Sequence, residues 1–243
     1  MIEAGLWGLL AGSSLLVGAV AGYLLPISRH AIALIIAFGA GVLISAVAFE
    51  LTEEAYSIGG GDAVALGLGA GALTFFAGDW YIDRMGGAMR KRAGMEQVDG
   101  NARAIAFGAA LDGIPESAAI GLTLLHGGTV EAALVGAVFL SNVPEALSSS
   151  AGSKNAGKSL SAVLGQWAGI VAISGIAAAL GFTLLDGASD NMIAWTQAFA
   201  GGAVLCMLAD TMFPQAYEDY DRRPAVGLVT VLGFALAFLL STM

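Results

Sequence analysis

The sequence predicts an all-α integral membrane protein: eight transmembrane helices in a 3+2+3 arrangement, with helices 1–3 and 6–8 related as an inverted repeat. Three observations predict it: an apolar composition, eight apolar stretches long enough to span a bilayer, and the confinement of every basic residue to alternate loops. Of 243 residues, 57% are hydrophobic and only 12% are charged, and the mean hydropathy is +0.80. A soluble domain carries about a quarter charged residues, so lipid replaces water as the main solvent. The 35 glycines suit membrane helices, where Gly is frequent.

A bilayer core about 30 Å thick needs about 20 apolar residues per spanning helix. Such stretches run over 5–25, 31–55, 63–83, 103–125, 130–150, 159–185, 192–213 and 224–242. They use most of the chain, which leaves short loops and one domain, residues 1–243. The first stretch follows Met1-Ile2-Glu3 without a basic leader, so it is expected to be a spanning helix and not a cleaved signal. Cys206 is the only cysteine, so no intrachain disulfide forms and a small packing role is expected.

The Lys and Arg residues fall in the odd-numbered loops. Arg29 lies in the first loop, Arg84, Arg90, Lys91, Arg92 and Arg103 in the third, Lys154 and Lys158 in the fifth, and Arg222 and Arg223 in the seventh. The other side carries Glu3, Asp62, Glu131, Asp186, Asp190 and His126. Cytoplasmic loops are rich in Lys and Arg, so both termini are expected outside, in a multi-pass protein of the plasma membrane. The third loop sets topology and has the charge to touch anionic headgroups. No nucleic-acid partner and no prosthetic group are expected.

Two internal repeats stand out. AFGAGVLISAVAFELTEEAY at 37–56 pairs without gaps with AFAGGAVLCMLADTMFPQAY at 198–217; Ala37, Phe38, Gly41, Ala55 and Tyr56 match Ala198, Phe199, Gly202, Ala216 and Tyr217. These are the second and seventh helices, which cross in opposite directions, the pattern that transporters use to build a midplane site open to each side in turn. The second repeat joins Asp112-Gly113-Ile114-Pro115-Glu116-Ser117 to Ser141-Asn142-Val143-Pro144-Glu145-Ala146 on helices four and five.

Asp112, Glu116 and Glu145 fall at mid-depth, where an ionised group costs about 2.5–3.5 kcal/mol on insertion scales. No Lys or Arg shares that depth, so they are either protonated or neutralised by a mobile cation. Asp112 and Glu116 share one helix face, as do Ser141 and Glu145 on the partner helix, and a further turn adds Ser148 or Ser149. Asn142, three before Glu145, leans to the same side. The short connection at Gly127-Gly128 makes the two helices antiparallel neighbours. Pro115 and Pro144 each remove a helical hydrogen bond, freeing the carbonyls of Leu111 and Leu140. Carboxylates, an amide, hydroxyls and bare carbonyls make an all-oxygen cation site. The competing reading is a set of protonated side chains bonded to neighbouring helices.

Glu50, followed by Glu53 and Glu54, lies toward the outer end of the second helix, and Asp210 toward the inner end of the seventh. They fit outer and inner stations for a cation, and equally fit interfacial residues reaching water. Asp79 and Asp83 beside Arg84 fit an interfacial role. His30 and His126, in or beside loops, fit solvated residues, and His126 also fits an outer vestibule.

Eight helices, outside termini and paired Pro-Glu motifs on helices four and five resemble the ZIP (Zrt-, Irt-like protein) family of divalent-metal transporters, over nearly the whole chain. The resemblance implies that Glu116 and Glu145 bridge a two-metal centre, that Asp112 and Ser141 face one metal and Asn142 the other, and that the protein is a homodimer importing its substrate. The family's fourth helix typically reads His-Asn-x-Pro-Glu-Gly; here Asp112 replaces His and Gly113 has no side chain to ligate. The second-helix His matches Glu50. The seventh-helix His-Glu-x-x-Pro matches Asp210-Thr211-Met212-Phe213-Pro214, so Thr211 replaces an acid. The His-rich inner loop is absent, and one metal per site is plausible.

Without imidazoles the ligand set suits harder cations. Carboxylates and carbonyls favour Mg, Ca and Mn, so Mn²⁺, Fe²⁺ or Mg²⁺ is expected as the substrate, with Zn²⁺ retained by its intrinsic affinity. Like charges in a poorly solvated place hold protons when no metal is bound, so pH is expected to affect transport. Two other functions use the same acids: a carrier or channel for protons or a monovalent cation, and a non-transporting membrane metal sensor. An enzyme is not expected, since no Ser/His/Asp or His-rich catalytic set lies within the helices.

Overall fold

A computed structural model of the chain describes residues 1–84, 102–127, 132–218 and 223–241. Among these, every regular element is helical. Helix α1 (Ile2–Leu24) is followed by α2 (Arg29–Ala46), which runs through a π-helical stretch (Val47–Glu53) into α3 (Glu54–Ile82). Helices α4 (Ala102–Gly127), α5 (Ala132–Asn155) and α6 (Leu160–Leu185) follow. Helix α7 (Asp190–Met207) passes through a second π-helical stretch (Leu208–Met212) into α8 (Phe213–Glu218), and α9 (Arg223–Ser241) ends the described chain. Arg90, Lys91, Arg92, Gly128, Glu131 and Arg222, to which the sequence assigns loop positions, lie outside the described residues.

Among the described residues, five segments are long and apolar enough to cross a membrane: Ile2–Leu24, Arg29–Ile82, Leu160–Leu185, Asp190–Tyr217 and Pro224–Ser241. By length and composition the chain is a membrane protein. The 54-residue segment would span about 80 Å as one straight helix, far beyond a bilayer core. It breaks at Gly60, whose φ of 73° and ψ of −175° lie in a region essentially reserved for Gly. The sequence assigns residues 56–62 to a loop between two helices. Instead, helix continues on both sides of this one residue, because the Gly59-Gly60-Gly61 run needs only a single non-helical residue to change direction.

The two stretches matched by sequence have the same local structure. Ser28 caps α2 by accepting from the N–H of Ala31, and Ser189 caps α7 by accepting from the N–H of Met192. The offset that pairs Ala37 with Ala198 also pairs Ser28 with Ser189, and Val47 with Leu208, where the two π-helical stretches begin. Packing follows the same correspondence. A side chain at Gly41 of α2 would strike the carbonyl of Thr230 in α9, and one at Gly202 of α7 would strike the carbonyl of Leu68 in α3. Reciprocally, Gly233 of α9 lies on the backbone of Phe38, and Gly71 of α3 on that of Phe199. Small residues let helices approach this closely where lipid offers no hydrophobic drive to associate.

Helices thus group by packing: α3 with α7, α2 with α9, and α1 with both α5 and α6, while α4 lies along α6. Helices α4 and α5 meet over a short stretch only. The sequence expects them as close neighbours because their connection is short; instead, glycines of other helices hold each one. Gly22 of α1 lies against the backbone of Leu147 in α5, and Gly181 of α6 against that of Ala118 in α4. Basic residues gather with aromatic rings at helix ends. Tyr23 Oη donates to the carbonyl of Lys158 at 2.9 Å, Lys154 Nζ lies 5.5 Å from the Tyr23 ring centre, and Arg84 stacks on Trp80 at 3.6 Å.

Candidate cation site

Helix α4 carries Asp112 and Glu116 on one buried face, 5% and 4% exposed. Buried charge of this kind is rare unless a partner compensates it. Among the described residues, Glu145 of α5 and Asp112 of its own helix act electrostatically on the Glu116 carboxyl group. The structure therefore brings together the three acids expected at mid-depth. Glu145 is half-buried, whereas Ser141 and Asn142 of α5 are buried. The Ser141 hydroxyl donates to the carbonyl of Val138 at 3.0 Å, which leaves its oxygen able to accept or to ligate.

Proline lies inside both helices beside the acids, Pro115 in α4 and Pro144 in α5. Neighbouring helices form the walls. Ser174 of α6 lies against Gly113 of α4, and Gly39 of α2 faces Pro144 and Ser141 of α5, with the methyl end of Met212 beside them. Ser148, a further expected contributor, accepts from Gln215 Nε2 of α8 at 2.6 Å, so it is tied to α8. Among the described residues, no group of three or more His, Cys, Asp or Glu side chains is arranged to hold one metal ion. Glu145 comes from a helix that meets α4 over a short stretch only.

Glu50 and Asp210 are placed apart from one another's surroundings. Glu50 lies in the first π-helical stretch, half-buried, and its carbonyl accepts from Gln197 Nε2 at 3.3 Å. Glu54, one turn on, accepts from the same nitrogen through its carboxylate. Asp210 lies in the second π-helical stretch and is exposed, accepting from Cys206 Sγ at 3.3 Å. Cys206 also feels the charge of Asp79, so Asp79 and Asp210 form an acidic end between α3 and α7. His30 is exposed in the first turn of α2, and the side chain of His126 lies outside the described residues.

Sequence reasoning missed Gln197. It is 1% exposed, and its Oε1 is a buried atom without a hydrogen-bond partner. The available signal was an amide in the middle of an apolar segment, Ala194-Trp195-Thr196-Gln197-Ala198-Phe199. Buried polar groups are satisfied in the great majority of cases, so a polar residue at such a position marks a partner across the interface. Comparison with family models and with curated proteins finds no match.

Proposed function

We propose that the chain is a divalent-metal transporter of the ZIP type, with eight membrane-crossing helices in a 3+2+3 arrangement and an inverted repeat relating helices 1–3 to 6–8. The observation that carries this reading is the Glu116 carboxylate, buried with Asp112 and Glu145 as its charged neighbours. Three negative groups in a low-dielectric place repel one another, and a cation passing between α4 and α5 relieves that repulsion. The matched caps and matched π-helical stretches of α2 and α7 support the repeat.

In this reading Asp112, Glu116 and Glu145 supply carboxylate oxygens, and Ser141, Asn142 and the carbonyls of Leu111 and Leu140 complete the shell. Oxygen ligands suit Mn²⁺, Mg²⁺ or Fe²⁺, with Zn²⁺ also accepted. Protons hold the site between cycles and leave as the metal arrives, so uptake slows as the pH falls. Helices α4 and α5 pack closely against α6 and α1 respectively, so they move with those helices and not alone. The protein lies in the plasma membrane with both termini outside, as a homodimer, and carries metal inward.

Uptake of ⁵⁴Mn²⁺ or ⁶⁵Zn²⁺ into proteoliposomes tests the proposal. Wild type accumulates metal, and Glu116→Ala and Glu145→Ala do not. Vesicles that pass no divalent ion overturn it. A second reading is favoured by the lack of a three-acid metal group among the described residues: the same carboxylates relay protons or a monovalent cation. Vesicles that pass H⁺ or Na⁺ but exclude Mn²⁺ and Zn²⁺ decide for it, and metal binding without flux decides for a sensor.

A further inference from the structure

The first π-helical stretch and the start of α3, up to Gly59, run antiparallel to α7. Gly59 lies on Ala194, Glu54 is bonded to Gln197, and Val47 and Leu51 lie on Gly201. At the centre of this contact the Gln197 carboxamide sits among oxygens. Its Nε2 serves both the backbone carbonyl of Glu50 and the carboxylate of Glu54, while its buried Oε1 has no partner. The Glu50 carbonyl lies within a π-helical stretch, where altered backbone bonding is a common feature of functional sites.

We propose that Gln197, Glu54 and the Glu50 carbonyl form a second cation site, separate from the acids of α4 and α5, that takes a hard divalent ion. A half-turn of the carboxamide exchanges Nε2 for Oε1. The pocket that presents a donor to two oxygens then presents three oxygens to a cation, with the Glu54 charge to hold it and the Glu50 carboxylate on the same helical turn. The amide nitrogen thus stands in for the ion when the site is empty, and the orphaned Oε1 is the ligand held in reserve. Oxygen-only coordination by a carboxylate, an amide and a backbone carbonyl suits Mn²⁺, Mg²⁺ or Ca²⁺.

An open groove of about 650 Å³, lined in part by Gly59, Asp62, Asn191 and Trp195, lies further along the same two segments. Asp62 is exposed there and gives a cation an acidic approach. Service as the outer station of a transport route rests on the transport reading; binding at this site does not.

The test uses the full chain in nanodiscs, with Mn²⁺ as probe, followed by electron paramagnetic resonance. In the Glu116→Ala/Glu145→Ala background one Mn²⁺ site is expected to persist. Adding Glu54→Gln, which conserves volume, weakens it by at least about tenfold, and adding Gln197→Glu, which supplies a second charge, tightens it by about as much, since ligand charge sets affinity. Loss of all Mn²⁺ binding in the background variant overturns the proposal, as does residual binding that neither added substitution moves. Wild-type uptake is read separately: a chain that binds Mn²⁺ at Glu54 without carrying it overturns the transport reading and leaves this site standing.

Discussion

Ser28 and Ser189 do the same work at equivalent places in the chain: each hydroxyl accepts from the amide three residues on, Ala31 at 3.2 Å and Met192 at 3.4 Å. An N-cap serine replaced by Ala costs about 1 kcal/mol. Ser28→Ala and Ser189→Ala are therefore expected to lower thermal stability by similar amounts and to add in the double variant. Fluorescence-detected melting of detergent-solubilised protein checks this. A large loss from one and none from the other would show that the two ends are not equivalent.

Metal binding at the central acids has a stability signature. A ligand at a hundred times its Kd stabilises the folded state by about 2.7 kcal/mol, so Mn²⁺ is expected to raise the melting midpoint of wild type. Glu116→Gln removes one of three repelling charges while keeping its shape. It is expected to raise the metal-free midpoint and to cut the Mn²⁺-dependent increase to the part that the Glu54–Gln197 site supplies. A variant that melts lower without metal, yet responds to Mn²⁺ as fully as wild type, would remove Glu116 from the site.

Gly60 combines a φ of 73° with a ψ of −175°. Even Asn, which tolerates ordinary left-handed backbone, does not adopt this combination readily. Gly60→Ala and Gly60→Asn are both expected to cost about 1–3 kcal/mol, with no rescue by Asn. Thermal melts of the three proteins decide it, and an Asn variant equal to wild type would show that helix runs straight through the position.

Close helix contact makes a further contrast. A side chain at Gly41 or Gly71 meets the backbone of Thr230 or Phe199, whereas Gly69 and Gly165 have nothing within 4 Å. Gly41→Ala and Gly71→Ala are expected to destabilise by about 1–3 kcal/mol through overpacking. Gly69→Ala and Gly165→Ala are expected to be neutral or to gain up to about 1 kcal/mol of helix propensity. Yield of monodisperse protein after heating reports all four.

Sidedness is tested by labelling. In a Cys206→Ser background, Asp62→Cys is expected to react with an impermeant thiol reagent on intact cells, and Lys158→Cys only after permeabilisation. The opposite pattern would invert the protein in the membrane.

Helices were legible in the sequence because a bilayer demands long apolar runs, whereas their capped starts at Ser28 and Ser189 come from the structure. Asp112, Glu116 and Glu145 were legible because charge within an apolar run has a cost that only function or pairing explains. The rest depends on tertiary packing. No periodicity shows that α4 lies along α6 and α5 along α1, since a short connection constrains ends and not flanks. The π-helical stretches lack a composition signal of their own, and Gln197 acquires meaning only when α7 is laid against Glu54. Asp210, a residue with the same chemistry as Asp112, is exposed beside Cys206, a difference that the helical pattern alone does not reveal.

Each π-helical stretch accommodates a residue more than an α-helix would at that point, and each α-helical residue turns the chain by about 100°. A helical wheel drawn straight through Val47–Glu53 or Leu208–Met212 therefore assigns Glu54 and Gln215 to the wrong flank. Any relative lacking these wide turns would carry its corresponding carboxylate or amide on a different side, and would align to this chain correctly only with a one-position gap opened inside an otherwise unbroken helix.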